Sequence, residues 1–309
     1  MKPFRKNIAI AIDGGGIKGV IPIRALMKLE EAMGIPLSHT AGLVAGTSTG
    51  SIISAGLAAG LSAGQIYSFY QDLGRQVFRK GLSTLLWPLF KNRYSSKSLR
   101  MALTQALGNL RMGDLWDNNG PNMDLVITTY DLTLNRTRFI KPWKSVYADW
   151  LLVDAVMASS AVPTYFPVVD GRYVDGGVGS YSNPCYIAAY EARYCLDWKP
   201  EETTLISLGT GRRRNSTPPG RANSYYAWDW ISPTLGAFMT SAADQQVHLV
   251  ETFFEGLDFR RFQVDLDEEI AMDDPGAFSR LTHYGDRMAS RLLRDQFDSA
   301  MGVQPQQLR

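Results

Sequence analysis

The chain has 309 residues, with 32 Lys and Arg against 30 Asp and Glu for a formal net charge of +2. A hydrophobic share of 45% can fill a sizeable core and excludes wholesale disorder. Balanced charge without a polybasic run argues against a nucleic-acid partner, whose phosphates require a clustered cationic face. The apolar run behind the basic N-terminal residues stops at Asp13, too short for a signal peptide, and no stretch reaches the roughly 20 apolar residues of a membrane-spanning helix. Cys185 and Cys195 lie in a helical pattern that separates them by about 15 Å along its axis, so no disulfide is expected. Free thiols without metal-ligand spacing fit a cytoplasmic protein with no metal or cofactor.

In chain order, residues 7–12 read as a strand that ends in Asp13 and the turn Gly14, Gly15, Gly16, and residues 20–33 read as a helix. The device repeats: residues 42–45 form a short strand, Gly46-Thr47-Ser48-Thr49-Gly50 a sharp turn and residues 51–59 a buried helix. Ser62 is expected to cap a helix over residues 63–78. Further strands are expected at residues 125–130, 138–140, 173–175, 204–208 and 261–264. Helices are expected at 98–107, 153–159, 184–195, 228–254 and 278–299, with a loop over 211–226. The alternation predicts an α/β fold with a parallel sheet between helices. No clean linker divides the chain, so residues 1–309 read as one domain with a motif-bearing part at 7–211 and a helical C-terminal part at 226–309.

Gly14, Gly16 and Gly19 satisfy the spacing of a dinucleotide fingerprint. Asp13 would set a carboxylate beside the phosphates, however, and no acidic residue ends the second strand. A phosphate-binding P-loop fails as well, because Lys18 is followed by Gly19. What remains is a turn whose backbone N–H groups face negative charge, including a developing oxyanion; a turn that merely packs helix on strand is the alternative. Lys18 reads equally as an anion contact or a solvated helix-start residue.

Gly46-x-Ser48-x-Gly50 between strand and helix is the pattern of a nucleophile elbow. A triad hydrolase would then need His248 or His283, and both read as surface or structural histidines. The elbow also follows one strand and helix, earlier than in an α/β-hydrolase. Asp175, at the end of a strand and before Gly176 and Gly177, is the favoured base, since partial burial of a carboxylate raises its proton affinity. An ordinary turn is the alternative for that segment.

These residues together resemble the patatin-like phospholipases. The likeness rests on Asp13 to Gly19, on Gly46 to Gly50, on Asp175-Gly176-Gly177 and on the segment 158–167, in the family's order over about residues 7–211. It implies a three-layer patatin-like fold, a mostly parallel sheet flanked by helices, with Ser48 as nucleophile and Asp175 as base. It further implies Gly14, Gly15 and Gly16 as the oxyanion donors and fatty-acyl esters of membrane phospholipids as substrates. The sequence departs from the family at Lys18, where an arginine often follows the glycines.

An apolar run bracketed by cations, residues 78–93, suits an interfacial contact through Trp87 and Phe90, with a buried loop as the alternative. Such a contact implies transient association with the inner face of a membrane. Some family members look like antiphage effectors switched on by a cyclic nucleotide. Arg212 to Arg214 and the aromatic residues Tyr225, Tyr226, Trp228 and Trp230 suit such an activator; a solvated loop beside a helix start is the favoured alternative. A homo-oligomer is a further expected partner state. The rival functions are a constitutive esterase or lysophospholipase, a histidine-dependent triad esterase and a non-catalytic nucleotide- or lipid-binding module.

Overall fold

The computed structural model describes residues 1–78, 92–117, 123–212 and 217–298. Trp87 and Phe90, and with them the expected interfacial contact, lie outside the described residues, as do Arg213 and Arg214. Seven strands, β1 (Asn7–Ile12), β2 (Leu43–Thr47), β3 (Asp124–Asp131), β4 (Arg136–Ile140), β5 (Tyr173–Asp175), β6 (Thr203–Leu208) and β7 (Asp258–Phe262), form one sheet. Its order is β4-β3-β2-β1-β6-β7, with β5 paired to β3. The run from β3 through β1 to β7 is parallel, and β4 and β5 lie antiparallel to β3.

Among the described residues the helices are α1 (Val20–Met33), α2 (Thr49–Ala58), α3 (Ala63–Val77), α4 (Ser96–Leu107), α5 (Leu152–Ser159), α6 (Cys185–Tyr190), α7 (Ile231–Phe253) and α8 (Phe278–Leu293), with single turns at Asp114–Asp117 and Ser145–Ala148. Alternation along β1 assigns them to two layers, because successive strand side chains point to opposite faces. Ile8, Ile10 and Ile12 enter the core built with α1 to α5 and α8, whereas Ala9 and Ala11 pack against α6 and the second half of α7. The chain therefore has the three-layer α/β architecture that its alternating pattern implies. No helix among the described residues is long and apolar enough to cross a membrane.

Several boundaries differ from the sequence pattern, each for a local reason. Ser62 does cap α3, through a reciprocal capping box with Gln65. The strand expected at 261–264 begins earlier, at Asp258, because charged residues inside it mask its period. Arg260 is buried there, bonded to Asp258 and to the carbonyls of Lys2 and Pro3. The helix expected over 184–195 is α-helical only to Tyr190 and loosens into a π-turn at Glu191–Cys195. Glu191 is fully buried at that change, held by Lys141 and the Trp143 indole. The helix expected from residue 228 begins at Ile231 after a 3-10 turn, and α8 ends at Leu293, short of residue 299. Cys185 is buried and Cys195 exposed, and both are free thiols.

β1 sits at the switch point of the sheet: the chain leaves it to build β2 on one side and β6 on the other. Clefts open at the carboxyl ends of strands at such a point. Asp13, at that end of β1, is tied across β6 to β7, since the Arg261 guanidinium donates to both of its oxygens, at 2.9 and 2.5 Å, and to Ser207 Oγ at 2.8 Å. The pair is buried, so removing one partner strands the other charge. Arg261→Ala is expected to lower the unfolding free energy by about 3–5 kcal/mol. The double variant Arg261→Met/Asp13→Asn should lose clearly less, as read from urea denaturation of both proteins.

Candidate active site

The site is built where β2 and β5 meet end to end. β3 has two edges, and β4 occupies one of them. On the other, β2 pairs with Asp124 to Thr128 and β5 with Thr129 to Asp131. β2 ends with Thr47 beside Thr128, and β5 arrives from the opposite direction to end with Asp175 beside Thr129. Ser48, the residue after Thr47, is thereby delivered next to Asp175.

The chain cannot continue as a strand past Thr47, because β5 fills the way ahead. It reverses at Ser48, which has φ 55° and ψ −122°, a conformation costing about 1–3 kcal/mol for a side-chain-bearing residue. α2 begins at the next residue, and Ser51 Oγ donates to the Ser48 carbonyl at 2.6 Å. The Ser48 N–H is satisfied by Ser159 Oγ at 2.8 Å, from the end of α5. Gly46 and Gly50 pack against each other across the reversal, and Tyr70 from α3 clamps Thr49 by accepting or donating at its hydroxyl and donating to its carbonyl. Thr47 Oγ1 bridges to Thr128 Oγ1 at 2.7 Å and to the Tyr181 carbonyl at 2.5 Å, which fixes the exit from β2.

Asp175 is buried, with its N–H on the Ala161 carbonyl at 3.0 Å and its Oδ1 accepting from the Gly177 N–H at 2.8 Å. Oδ2 is buried and has no hydrogen bond of ordinary geometry, although the Ser48 hydroxyl lies close enough to favour its ionised form. Burial dominates over Ser48 and Gly177 and pushes the carboxyl up to about 6. Gly176 lies against Thr128 and leads into a 3-10 turn ending at Gly179. A carboxylate that is ionised at neutral pH yet holds a proton more readily than an exposed one suits a general base.

The first glycine turn crosses directly over the elbow: a Cβ on Gly14 would lie 3.3 Å from Ser48 Cβ. Gly16 adopts φ +62°, and a side chain there would collide with Met272. Gly14 is corrected as an oxyanion donor, because its N–H is already bonded to the Ser182 carbonyl at 2.8 Å. Gly15 and Gly16 make no N–H hydrogen bond among the described residues and keep theirs available, as does Thr49 at the orphaned first turn of α2. Thr210 Oγ1 holds the Gly14 carbonyl at 2.7 Å, and the Met272 carbonyl accepts from Ile17, so the turn is fixed from the C-terminal part of the chain. Gly19 lies against Thr49. Lys18 is half-buried, and desolvation lowers its pKa against the opposing pull of Glu269. Asp13 is paired with Arg261.

Other sequence candidates fall outside this cluster. His248 and His283 are exposed, and neither is hydrogen-bonded to Ser48 or Asp175 among the described residues. Arg212 is committed to Asp265 and Asp298, and Tyr225 packs edge-on against Trp230. Ser159, Thr49 and Arg261 carry no motif of their own. Ser159 lies in the segment 158–167, whose family likeness does not single it out, and Arg261 is hidden in a charged strand.

The chain as a whole is similar to known proteins. The family model described as Patatin-like phospholipase matches residues 10–189. Patatin-like protein 1 of Oryza sativa subsp. indica is 28% identical over 296 residues, covering 78% of this chain and 69% of that protein. The 85/88 kDa calcium-independent phospholipase A2 of Mus musculus is 29% identical over 221 residues, covering 66% of this chain and 27% of that protein. The crystal structure of VipD from Legionella pneumophila superposes with a TM-score of 0.49 at 14% identity, covering 95% of this chain and 67% of that one.

The elbow's dependence on Ser159 can be measured on the folded protein. Ser159→Ala leaves the Ser48 N–H buried without an acceptor and is expected to cost about 1–3 kcal/mol of unfolding free energy. Ser38→Ala removes a buried hydroxyl that has no hydrogen-bond partner and should cost less in the same urea titration.

Proposed function

The chain belongs to the patatin-like phospholipase family, and from that premise we propose that it hydrolyses fatty-acyl esters of membrane phospholipids through a Ser48–Asp175 dyad. The observation that carries this reading is the shared edge of β3, on which the ends of β2 and β5 abut and bring the strained serine against a buried carboxylate. Asp175 takes the hydroxyl proton as Ser48 Oγ attacks the ester carbonyl carbon, and the carbonyl electron pair moves to oxygen. The N–H groups of Gly15, Gly16 and Thr49 stabilise that oxyanion. Its collapse expels the lysolipid oxygen, which takes the proton from Asp175. Water then attacks the acyl-enzyme with Asp175 again as base, releasing fatty acid and restoring Ser48.

A histidine-dependent triad finds no partner geometry at Ser48, and a purely binding module leaves the strained elbow without a purpose. The free thiols Cys185 and Cys195 suit a reducing compartment, in keeping with action at the inner face of a membrane. Gating by a cyclic nucleotide and an antiphage role draw on no observation at Arg212 or the Tyr225–Trp230 pair and form no part of this reading.

Fatty-acid release from mixed phospholipid vesicles tests it. Ser48→Ala and Asp175→Asn are each expected to reduce release by at least 10³-fold, in the range found when a nucleophile or its base is removed. The double variant His248→Ala/His283→Ala should retain wild-type release. Loss of activity in the histidine variant would overturn the dyad.

The pH dependence follows from the same carboxyl. Only the ionised form of Asp175 accepts the serine proton, and its pKa is raised to about 6. Activity is therefore present above that value and lost below it. kcat/KM on a soluble ester should fall about tenfold per pH unit below pH 6 and level off above.

A further inference from the structure

Beside the turn that follows Asp175, several large apolar side chains stand exposed. The β3–β4 hairpin, which projects past the carboxyl ends of the parallel strands, exposes Leu132 and Leu134. The turn after Asp175 exposes Val178 at 50%, and the first half of α7 exposes Phe238 at 70% and Met239 at 39%. These pieces are physically joined. Thr137 Oγ1 donates to the Gly179 carbonyl at 3.0 Å, linking hairpin to turn, and Ser182 Oγ donates to the Met239 carbonyl at 3.4 Å, linking turn to helix. A Cβ on Gly177 would stand 3.8 Å from Met239 Cε, so α7 borders the Asp175 turn itself.

The chemistry of α7 is unusual for a surface helix. From Ile231 to Ala243 it carries no charged residue, whereas a helix facing water ordinarily turns a charged face outward. Contiguous exposed apolar surface of this kind marks an interaction site. Cations stand at the same hairpin: Arg136 is exposed, and Arg138 and Arg172 flank the single carboxylate of Asp131.

We propose that this apolar face is the surface by which the chain settles on a lipid bilayer. Phe238, Met239, Val178, Leu132 and Leu134 enter the boundary between headgroups and acyl chains, and Arg136 meets anionic headgroups. A bilayer is the occupant the chemistry favours, because the exposed apolar groups are joined beside the Asp175 turn and the exposed Arg136 stands on the same hairpin as Leu132 and Leu134. That pairing of an apolar face with a cation suits the boundary between acyl chains and anionic headgroups. The contact lies on the membrane without spanning it, since no helix among the described residues is long and apolar enough to cross. The inference rests on the acyl-hydrolase reading for the direction from which substrate arrives.

The test measures binding separately from turnover. Wild type, Phe238→Ser/Met239→Ser and the control Tyr194→Ser, an exposed ring near the opposite end of the sheet, are each sedimented with phosphatidylcholine vesicles containing phosphatidylglycerol. Hydrolysis of a soluble short-chain ester, circular dichroism and size-exclusion chromatography accompany each. The double variant is expected to bind vesicles on the order of tenfold more weakly or worse, with its circular dichroism, elution volume and soluble-ester turnover unchanged and the control binding as wild type. Wild-type vesicle binding by the double variant overturns the proposal. So does a change of elution volume alone, which assigns the face to a second copy, or a rise in soluble-ester turnover with binding unchanged, which makes α7 a cover over the site. Absence of all turnover would overturn the hydrolase reading, while the sedimentation comparison would still decide the membrane surface.

Discussion

One edge of β3 governs the molecule. Two strands pair with it from opposite directions, and neither can extend without displacing the other. β2 must turn sharply at Ser48, and β5 must stop at Asp175. The proximity of the two residues is therefore a consequence of sheet register, with no loop needed to bring them together. Rigid strand ends hold reacting groups to tighter tolerances than loops do.

The strain this imposes on Ser48 is offset by a shell of small polar groups. Ser159 accepts its N–H, Ser51 holds its carbonyl, and Thr47 and Tyr70 fix the residues on either side. These contacts come from α2, α3, α5 and the turn before α6, so the elbow is held by one helical layer and by the turn that leads into the other. The glycine turn is fixed in a different way, from the far end of the chain, through Thr210 and Met272. The Asp13–Arg261 pair reinforces that link by tying the end of β1 to β7. Burial of Asp175 then supplies what the proposed base role requires, a raised affinity for the proton without neutralisation at physiological pH.

Much of this was legible in the sequence because it is written in local terms. A short β-branched run followed by glycines specifies a strand and a turn, and the alternation of such units with helices specifies a largely parallel sheet. Ser48 and Asp175 stand out for the same reason, each at the end of a strand beside glycine. What stayed hidden depends on partners distant in sequence. The diversion of the Gly14 N–H to Ser182 could not be read from a glycine triplet, and Ser159 is an ordinary residue until α5 is packed under the elbow. β7 was displaced by three residues because Arg260 and Arg261 are buried with carboxylates, contrary to the usual exposure of arginine. The exposure of Phe238 and Met239 on α7 is likewise not legible in its uncharged sequence, because it depends on how the helix sits beside the turn after Asp175.

The central claim is that Ser48 is the activated nucleophile and that Asp175 activates it. The most direct measurement is the rate and position of covalent labelling by a fluorophosphonate, located by mass spectrometry of the digested protein. The account predicts a single adduct on Ser48, formed with an acid limb near pH 6 and slowed by orders of magnitude in Asp175→Asn. An adduct on another residue, or labelling of Ser48 at an undiminished rate without the Asp175 carboxylate, would contradict it.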